Sequence, residues 1–392
     1  MDEEVSPLAR LPRPIAEGFF NLAEEEAKKT MQRILQVRKR IRKVKEYLKF
    51  EKIEREESKI RVLVIDGSKS REPDVRIGTR TILIAAAYML FEGSKLVEQN
   101  GETYEITLSS YGRFQNSFAS TVMHLMERDL ALRKLKELSP DLLLIDGSFF
   151  GFRVNCQKIR GTSQRLFGKR IAGEDVIKEL VKTTNEIIKS KKAVGIIKRS
   201  ALSAIDGWIL KNLGEAHVTN STDKFILTLV MDKKAYWEYS SLNVDPEVYT
   251  RFASTYEYLK EEKGFSKQEI FEHAEKSVQK LYKNQLGFKR EDLPKRERGF
   301  LRYYREAPPF EVEVPEGVSI KNVGQRLLNF INQASGLPFP IDMVDEYVAL
   351  PLGTTSAFVQ EVEARILGNK DVFPAEVSSY FSHLNPQKPQ WV

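Results

Sequence analysis

Two short strings carry residues that can do chemistry: Val62-Leu63-Val64-Ile65-Asp66-Gly67-Ser68 and Leu142-Leu143-Leu144-Ile145-Asp146-Gly147-Ser148. In each, four apolar residues precede Asp-Gly-Ser. A short unbroken apolar run is the pattern of a strand buried on both faces, and Asp-Gly closes it. Open α/β sheets place their ligands outside the carboxyl ends of the strands. Both strings therefore deliver a carboxylate to such an edge. Two carboxylates brought together repel unless a cation lies between them, so the chemistry such a pair serves is divalent-metal binding. Either Asp-Gly alone reads as well as a turn, because Asp bonds its own backbone and Gly accepts positive φ. It is the repetition that points to chemistry.

A third carboxylate lies between the two strings. Phe118, Val122, Leu125 and Leu132 recur at helical spacing and make residues 117–132 an amphipathic helix. Glu127 falls on it beside Met123, Leu130 and Ala131, its neighbours three and four residues away. A carboxylate in that setting is paired or bound to metal. The alternatives are a metal ligand and a Glu that pairs with Arg128, Arg133 or Lys134.

The elements that position these acids follow from the remaining pattern. Residues 1–14 contain Pro7, Pro12 and Pro14 and read as an extended arm, followed by a charged helix from about Ala16 to Ser58. A strand at 61–66, further strands around 82–84 and 104–108 joined by a turn near Asn100-Gly101, the Glu127 helix, and the second Asp-Gly-Ser strand come next. A helix near 174–190 leads to a strand at 193–197. The expected fold class is α/β. The order strand, strand, strand, helix, strand, helix, strand matches the ribonuclease H-like mixed sheet flanked by helices, a plan with acids at the places of Asp66, Glu127 and Asp146. Beyond it, Phe225–Val230 reads as another buried strand, 233–297 as a helical insertion, 310–315 as a half-exposed strand and 321–334 as a helix. The division is 1–58 for the N-terminal arm and basic helix, 59–350 for the ribonuclease H-like body, and 351–392 for a peripheral extension.

The assembled order resembles the NurA family of archaeal nucleases over residues 15–350. The resemblance rests on strand-Asp-Gly-Ser, helix-Glu, strand-Asp-Gly-Ser and a late Pro-aromatic-Pro segment. It implies a ribonuclease H-like, Mn²⁺- or Mg²⁺-dependent DNA nuclease with two ions per site, a ring-like homodimer, and docking on the hexameric translocase HerA in DNA end resection. It also implies single-strand endonuclease and 5′-to-3′ exonuclease activity, with Asp66, Glu127 and Asp146 as catalytic metal ligands. One departure stands out. The family's late motif, Gly-Tyr-Pro-Tyr-Pro-Leu, is followed by a His; here Gly336-Leu337-Pro338-Phe339-Pro340-Ile341 is followed by Asp345. Asp345 offers oxygen to a hard cation but no imidazole. The family also has a Lys where Lys198 ends its strand, a phosphate contact. Two rival readings are a catalytically weakened ring-shaped adaptor that regulates the translocase, and a ribonuclease H-type enzyme acting on RNA.

Composition bounds the rest. The 392 residues carry 30% charged and 41% hydrophobic side chains with a formal net charge of +7, which permits a polyanionic partner. No apolar run has the length of a membrane span and no signal-peptide pattern opens the chain. The single Cys156 suits a reducing cytoplasm, the expected location beside the nucleoid. Between Lys28 and Lys49 stand ten Lys or Arg and one acid, Glu46. Ile34, Val37, Ile41, Val44 and Leu48 form a seam on that helix. The helix either docks on a second subunit, with Lys39 and Arg40 meeting DNA, or packs on its own core with a solvated face. Arg302, Tyr303, Tyr304 and Arg305 interleave cations with rings, as single-strand channels do, and equally as a core does. Asp223 is a further oxygen donor or a turn residue ahead of a strand.

Overall fold

The two Asp-Gly-Ser strands lie side by side in the middle of a large mixed sheet. The computed structural model describes residues 7–54, 59–71, 74–76, 79–109, 113–166, 169–368 and 377. In chain order the elements are α1 (Arg13–Val44), β1 (Glu51–Lys52), β2 (Arg61–Lys69), β3 (Asp74–Arg76), β4 (Thr79–Glu92), β5 (Lys95–Ser109), α2 (Gln115–Leu138), β6 (Leu142–Asp146), α3 (Arg153–Ile159), β7 (Ser163–Leu166) and β8 (Lys169–Ala172). They continue with α4 (Gly173–Lys189), β9 (Ala193–Ile197), α5 (Ala204–Asn212), α6 (Asp223–Val230), β10 (Ala235–Glu238), α7 (Pro246–Lys263) and α8 (Lys267–Leu286). The last are β11 (Arg296–Arg302), β12 (Phe310–Pro315), α9 (Ile320–Leu327), α10 (Phe339–Val348) and α11 (Thr354–Leu367).

The strand order β5-β4-β2-β6-β9 is antiparallel on its first side and parallel across β2, β6 and β9. This is the ribonuclease H-like plan, continued on the far side by antiparallel β12, β11, β10 and β1. Val62 to Ile65 and Leu143 to Ile145 are fully buried. Each such side chain contributes about 1.5–3 kcal/mol on leaving water, which fixes these two strands at the centre. One face packs against α2, α4 and α8 through Phe118, Leu130, Leu180 and Tyr282. The other packs against α9 and α10 through Val323, Ile341 and Val344.

Several expectations are corrected. The β4–β5 hairpin turns at Gly93, whose φ of +59° suits a tight turn, and Asn100-Gly101 lies inside β5, opposite Tyr88 and Ala87. Phe225–Val230 is helical: the Thr222 hydroxyl caps it by accepting the Phe225 N–H. The N-terminal helix stops at Val44 and the chain then joins the sheet as β1; residues 55–58 of the expected helix lie outside the described residues. The segment 233–297 is not wholly helical, since β10 and the start of β11 belong to the main sheet, and Phe252 and Val278 of α7 and α8 enter the core under β2. The strand at 310–315 is buried along its whole length because it runs between β11 and β9. In the C-terminal extension, α11 packs on β3 and β4, and residues 369–376 and 378–392 lie outside the described residues.

Candidate active site

Asp66 stands near the end of β2 and Asp146 at the end of β6, and these strands run parallel in register. The backbone that follows Asp66 is bare: a Cβ on Gly67 would lie 3.4 Å from both Glu127 Cβ and Glu127 Oε2. The missing side chain lets α2 bring Glu127 against the Asp66 strand. Glu127 is only 2% exposed, and its carboxylate pairs with Arg128, itself 2% exposed, and with His124 Nδ1 at 3.4 Å. Burial opposes ionisation of Glu127, but Arg128 and His124 outweigh it and hold the carboxyl below its usual range.

Asp66 behaves in the opposite way. Burial first, then the charges of Glu127 and Asp146, push its carboxyl up to about 8, against a modest opposing hydrogen bond from the Gly67 N–H at 2.8 Å. Asp345 adds to the same repulsion. Among the described residues no cation pairs with Asp66. Asp146 is also raised, chiefly by burial, although Lys198 opposes the shift. The Lys198 ammonium lies 3.1 Å from Asp146 Oδ2 and 2.9 Å from Asp345 Oδ2, so the chain brings Asp345 from α10 to the same edge, 147 residues from its partner.

The donors suit a hard divalent cation: all are carboxylate oxygens, and Asp66 carries unrelieved repulsion. Among the described residues, however, no three His, Cys, Asp or Glu side chains are placed so that together they could hold a metal ion. A cation here competes with Lys198 for Asp146 and with Arg128 for Glu127.

Other candidate residues fall elsewhere. Arg302 is 6% exposed, and its guanidinium donates to the carbonyls of Thr228, Met231, Tyr304, Arg305 and Ala307. Every face of that group is used inside the protein, so the nucleic-acid role expected for it is corrected. Tyr303 is likewise buried, donating to the Gly324 carbonyl at 2.7 Å and stacking on Phe310. Asp223 is fully buried, accepting the N–H groups of Ala204 and Ile205 at the start of α5 and the Tyr239 hydroxyl. Its role is to cap a helix. Lys39 is exposed on α1, whereas Arg40 donates to the Val218 carbonyl. The seam is split: Ile41, Val44 and Leu48 pack on Ile226, Leu227 and Val230 of their own chain, and Ile34 stays exposed.

Two participants escaped the reading of the sequence. His124 precedes Glu127 by one helical turn, a spacing that could have flagged it. Glu313 accepts the Phe149 N–H at 2.6 Å and so pins the turn after Asp146. Its alternation with apolar residues looked like a solvent face and gave no such signal.

Comparison with known proteins now bears on this edge. The family model described as the NurA domain matches residues 60–350, most of the chain and a range that includes Asp66, Glu127, Asp146 and Asp345. The chain belongs to the NurA family. Among solved structures, the NurA nuclease from Sulfolobus solfataricus superimposes with a TM-score of 0.58 at 15% identity, covering 93% of this chain and 100% of that one. A NurA structure with manganese gives 0.51 at 12% identity, covering 89% and 98%, and another NurA structure gives 0.50 at 11%, covering 91% and 98%. At these identities the likeness is one of fold. No curated protein matches the sequence.

Proposed function

We propose that this NurA-family chain is a metal-dependent deoxyribonuclease in which Asp66, Glu127 and Asp146 hold Mn²⁺ or Mg²⁺, two ions per site. The observation that carries this reading is the accumulation of carboxylates around Asp66, which has no cation paired with it among the described residues. The bound cations supply an acidified water and charge for the leaving oxygen. Asp66, between the other two acids, gives up its proton when the site is loaded. Arg128 keeps Glu127 ionised and fixed. Lys198, already at the rim between Asp146 and Asp345, contacts a phosphate oxygen and orients the backbone for cleavage. Asp345 supplies negative charge where the family pattern has His. Family membership and a relative solved with manganese support the choice of metal.

The wider setting follows the family: single-strand endonuclease and 5′-to-3′ exonuclease activity, a homodimer, and work beside a HerA-type hexameric translocase in end resection, in the cytoplasm near the nucleoid. The exposed apolar side of α1, with Ile15, Phe19 and Leu22, supports self-association, and exposed Lys39 supports a DNA path beside it. A weakened adaptor is the second reading, favoured by the ion pair that occupies Asp345. Incubation with 5′- and 3′-labelled DNA in EDTA, Mg²⁺ or Mn²⁺ separates them. The nuclease reading expects metal-dependent products, abolished by folded Asp66→Ala, Glu127→Ala or Asp146→Ala variants. Intact DNA with either ion leaves the adaptor.

A further inference from the structure

The sheet does not end at Asp66. After Lys69 the β2 path resumes as β3, which pairs with β4 on the same side, while β5 follows the other side of β4 out to Ser109. The result is an arm projecting beyond the carboxylates. Asp66 is opposite Ala87 and Arg80 lies seven residues farther along β4, about 23 Å at the rise of a strand. The small β7–β8 hairpin lies against β5, and Gln164 donates to the Arg113 carbonyl at 3.3 Å, tying the hairpin to the segment that opens α2.

The strands of the arm carry both signs beyond Asp66, with Asp74, Glu102 and Glu105 beside Lys69, Arg71, Arg76 and Arg80, whereas the segments around the arm do not. From Gly147 to Gly173, directly after Asp146, there are six cations and no acid: Arg153, Lys158, Arg160, Arg165, Lys169 and Arg170; of these, Arg153 is paired with Glu247 and Arg160 with Glu174. From Ile106 to Met126 there is likewise no acid, and Arg113 is the one Lys or Arg. Lys69 and Arg80 keep step with Ile65 and with Ile82 and Ile84 on the face covered by α2, the helix of Glu127. Among the described residues, none of Lys69, Arg80, Arg113 or Arg170 is ion-paired to a carboxylate, and Arg80 Nε is buried without a hydrogen bond. The four cations left without a carboxylate, Lys69, Arg80, Arg113 and Arg170, suit a polyanion with regularly spaced charge.

We infer that the β3–β4–β5 arm and the β7–β8 hairpin form a DNA-backbone track that holds phosphates up to about seven nucleotides from the bond being cut, at one phosphate per 3.4 Å of strand. This rests on the nuclease reading for what is cut, but not for what is bound. Cations spread along the track neutralise phosphates and position the DNA without reading bases. Substrates too short to reach Arg113 and Arg170 gain nothing from it.

The test is salt-titrated binding of a 30-base-pair duplex to the full chain in EDTA, in an Asp66→Asn background that cannot cut. Arg113→Gln combined with Arg170→Gln, both exposed positions, should lower the slope of log affinity against log salt by about 1.4–1.8. That is roughly a 10-fold smaller loss of affinity between 50 and 200 mM salt. Lys182→Gln, exposed on α4 away from the arm, should leave the slope unchanged. With Asp66 restored, the double variant should cut a four-nucleotide substrate at the parental rate and the duplex more slowly. An unchanged slope with an unchanged melting temperature overturns the track, as does an equal change from Lys182→Gln. If the parent binds with the expected slopes yet cuts no DNA with any metal, the nuclease reading fails and the track stands.

Discussion

Gly195→Ala tests how tightly the Asp146 turn is built into the sheet. Gly195 is in the middle of β9, paired with Ile145 on one side and Glu313 on the other. A Cβ there would lie 2.7 Å from the Gly147 carbonyl oxygen, 3.5 Å from Glu313 Cβ and 3.6 Å from Ser148 Cα. Ordinary contact begins near 3.4 Å, so the Gly147 oxygen must retreat by about 0.7 Å, and it is backbone. Two bonds resist the retreat: Gly147 N–H to Ile196 O at 2.8 Å, and Phe149 N–H to the Glu313 carboxylate at 2.6 Å. Overpacking of this kind costs about 1–3 kcal/mol. For a chain of this size each kcal/mol lowers the melting temperature by about 1 °C. Because Asp146 is the next residue, part of the shift reaches its carboxylate, and displacements near 1 Å cost up to about 100-fold in rate. Thermal unfolding, followed by cleavage rates measured well below both transitions, reads the two effects separately. Gly18→Ala is the matched control, since it has no atom within 4 Å in exposed α1 and should stabilise that helix by about 1 kcal/mol. A Gly195→Ala protein with parental melting and parental cleavage would refute the claim that this turn is fixed by close packing.

Further outcomes follow from the site and from α1. With its carboxyl at about 8, Asp66 is about nine-tenths protonated at pH 7 in the metal-free protein. Mn²⁺ binding should therefore release close to one proton at pH 7 and about half as much at pH 8, so affinity rises with pH and levels off above 8. Titration calorimetry in buffers of different ionisation enthalpy measures this, and proton-independent binding between pH 6 and 8 would remove Asp66 from the metal site. The same raised value means that the metal-free fold loses stability as pH climbs from the unfolded Asp range through 8. In α1, Val44→Asp should destabilise the monomer by about 3 kcal/mol or more, because Val44 is buried on α6. Ile15→Asp with Leu22→Asp, both exposed, should leave melting unchanged and weaken self-association in sedimentation.

The strands that carry Asp66 and Asp146 were legible because four consecutive apolar residues allow little except burial on both faces. The same signal misled at Phe225–Val230, where a helix buried among α1, α5 and β10 presents an equally apolar run. What separated the two was local: Thr222 placed to cap, followed by Asp223 in the first turn, is a helix start, not a strand boundary. Asn100-Gly101 carried a stronger turn signal than Gly93-Ser94, yet fourteen paired positions along β4 and β5 outweigh a local preference. Lys198 meeting Asp345 depended on α10 closing over β6, which no local pattern encodes.

The hardest part to read was β12, and its difficulty is physical. Alternating Glu and apolar residues ordinarily mean one wet face and one dry face. Here the polar face is dry as well, because β11 offers Arg298 directly opposite Glu313, and the Arg296 and Arg298 Nε atoms lie 3.2 Å from carboxylates of Glu313 and Glu311. A period-2 pattern records only that successive side chains differ, not whether water or a facing strand of opposite charge meets the polar set. Burying such a layer gains little net stability, but removing one partner strands a charge at a cost of about 3–5 kcal/mol. In the observed register Arg296 meets Glu313, and Arg298 meets both Glu311 and Glu313. Through the Phe149 N–H, the same Glu313 then passes the position of the outer strands to the turn that presents Asp146.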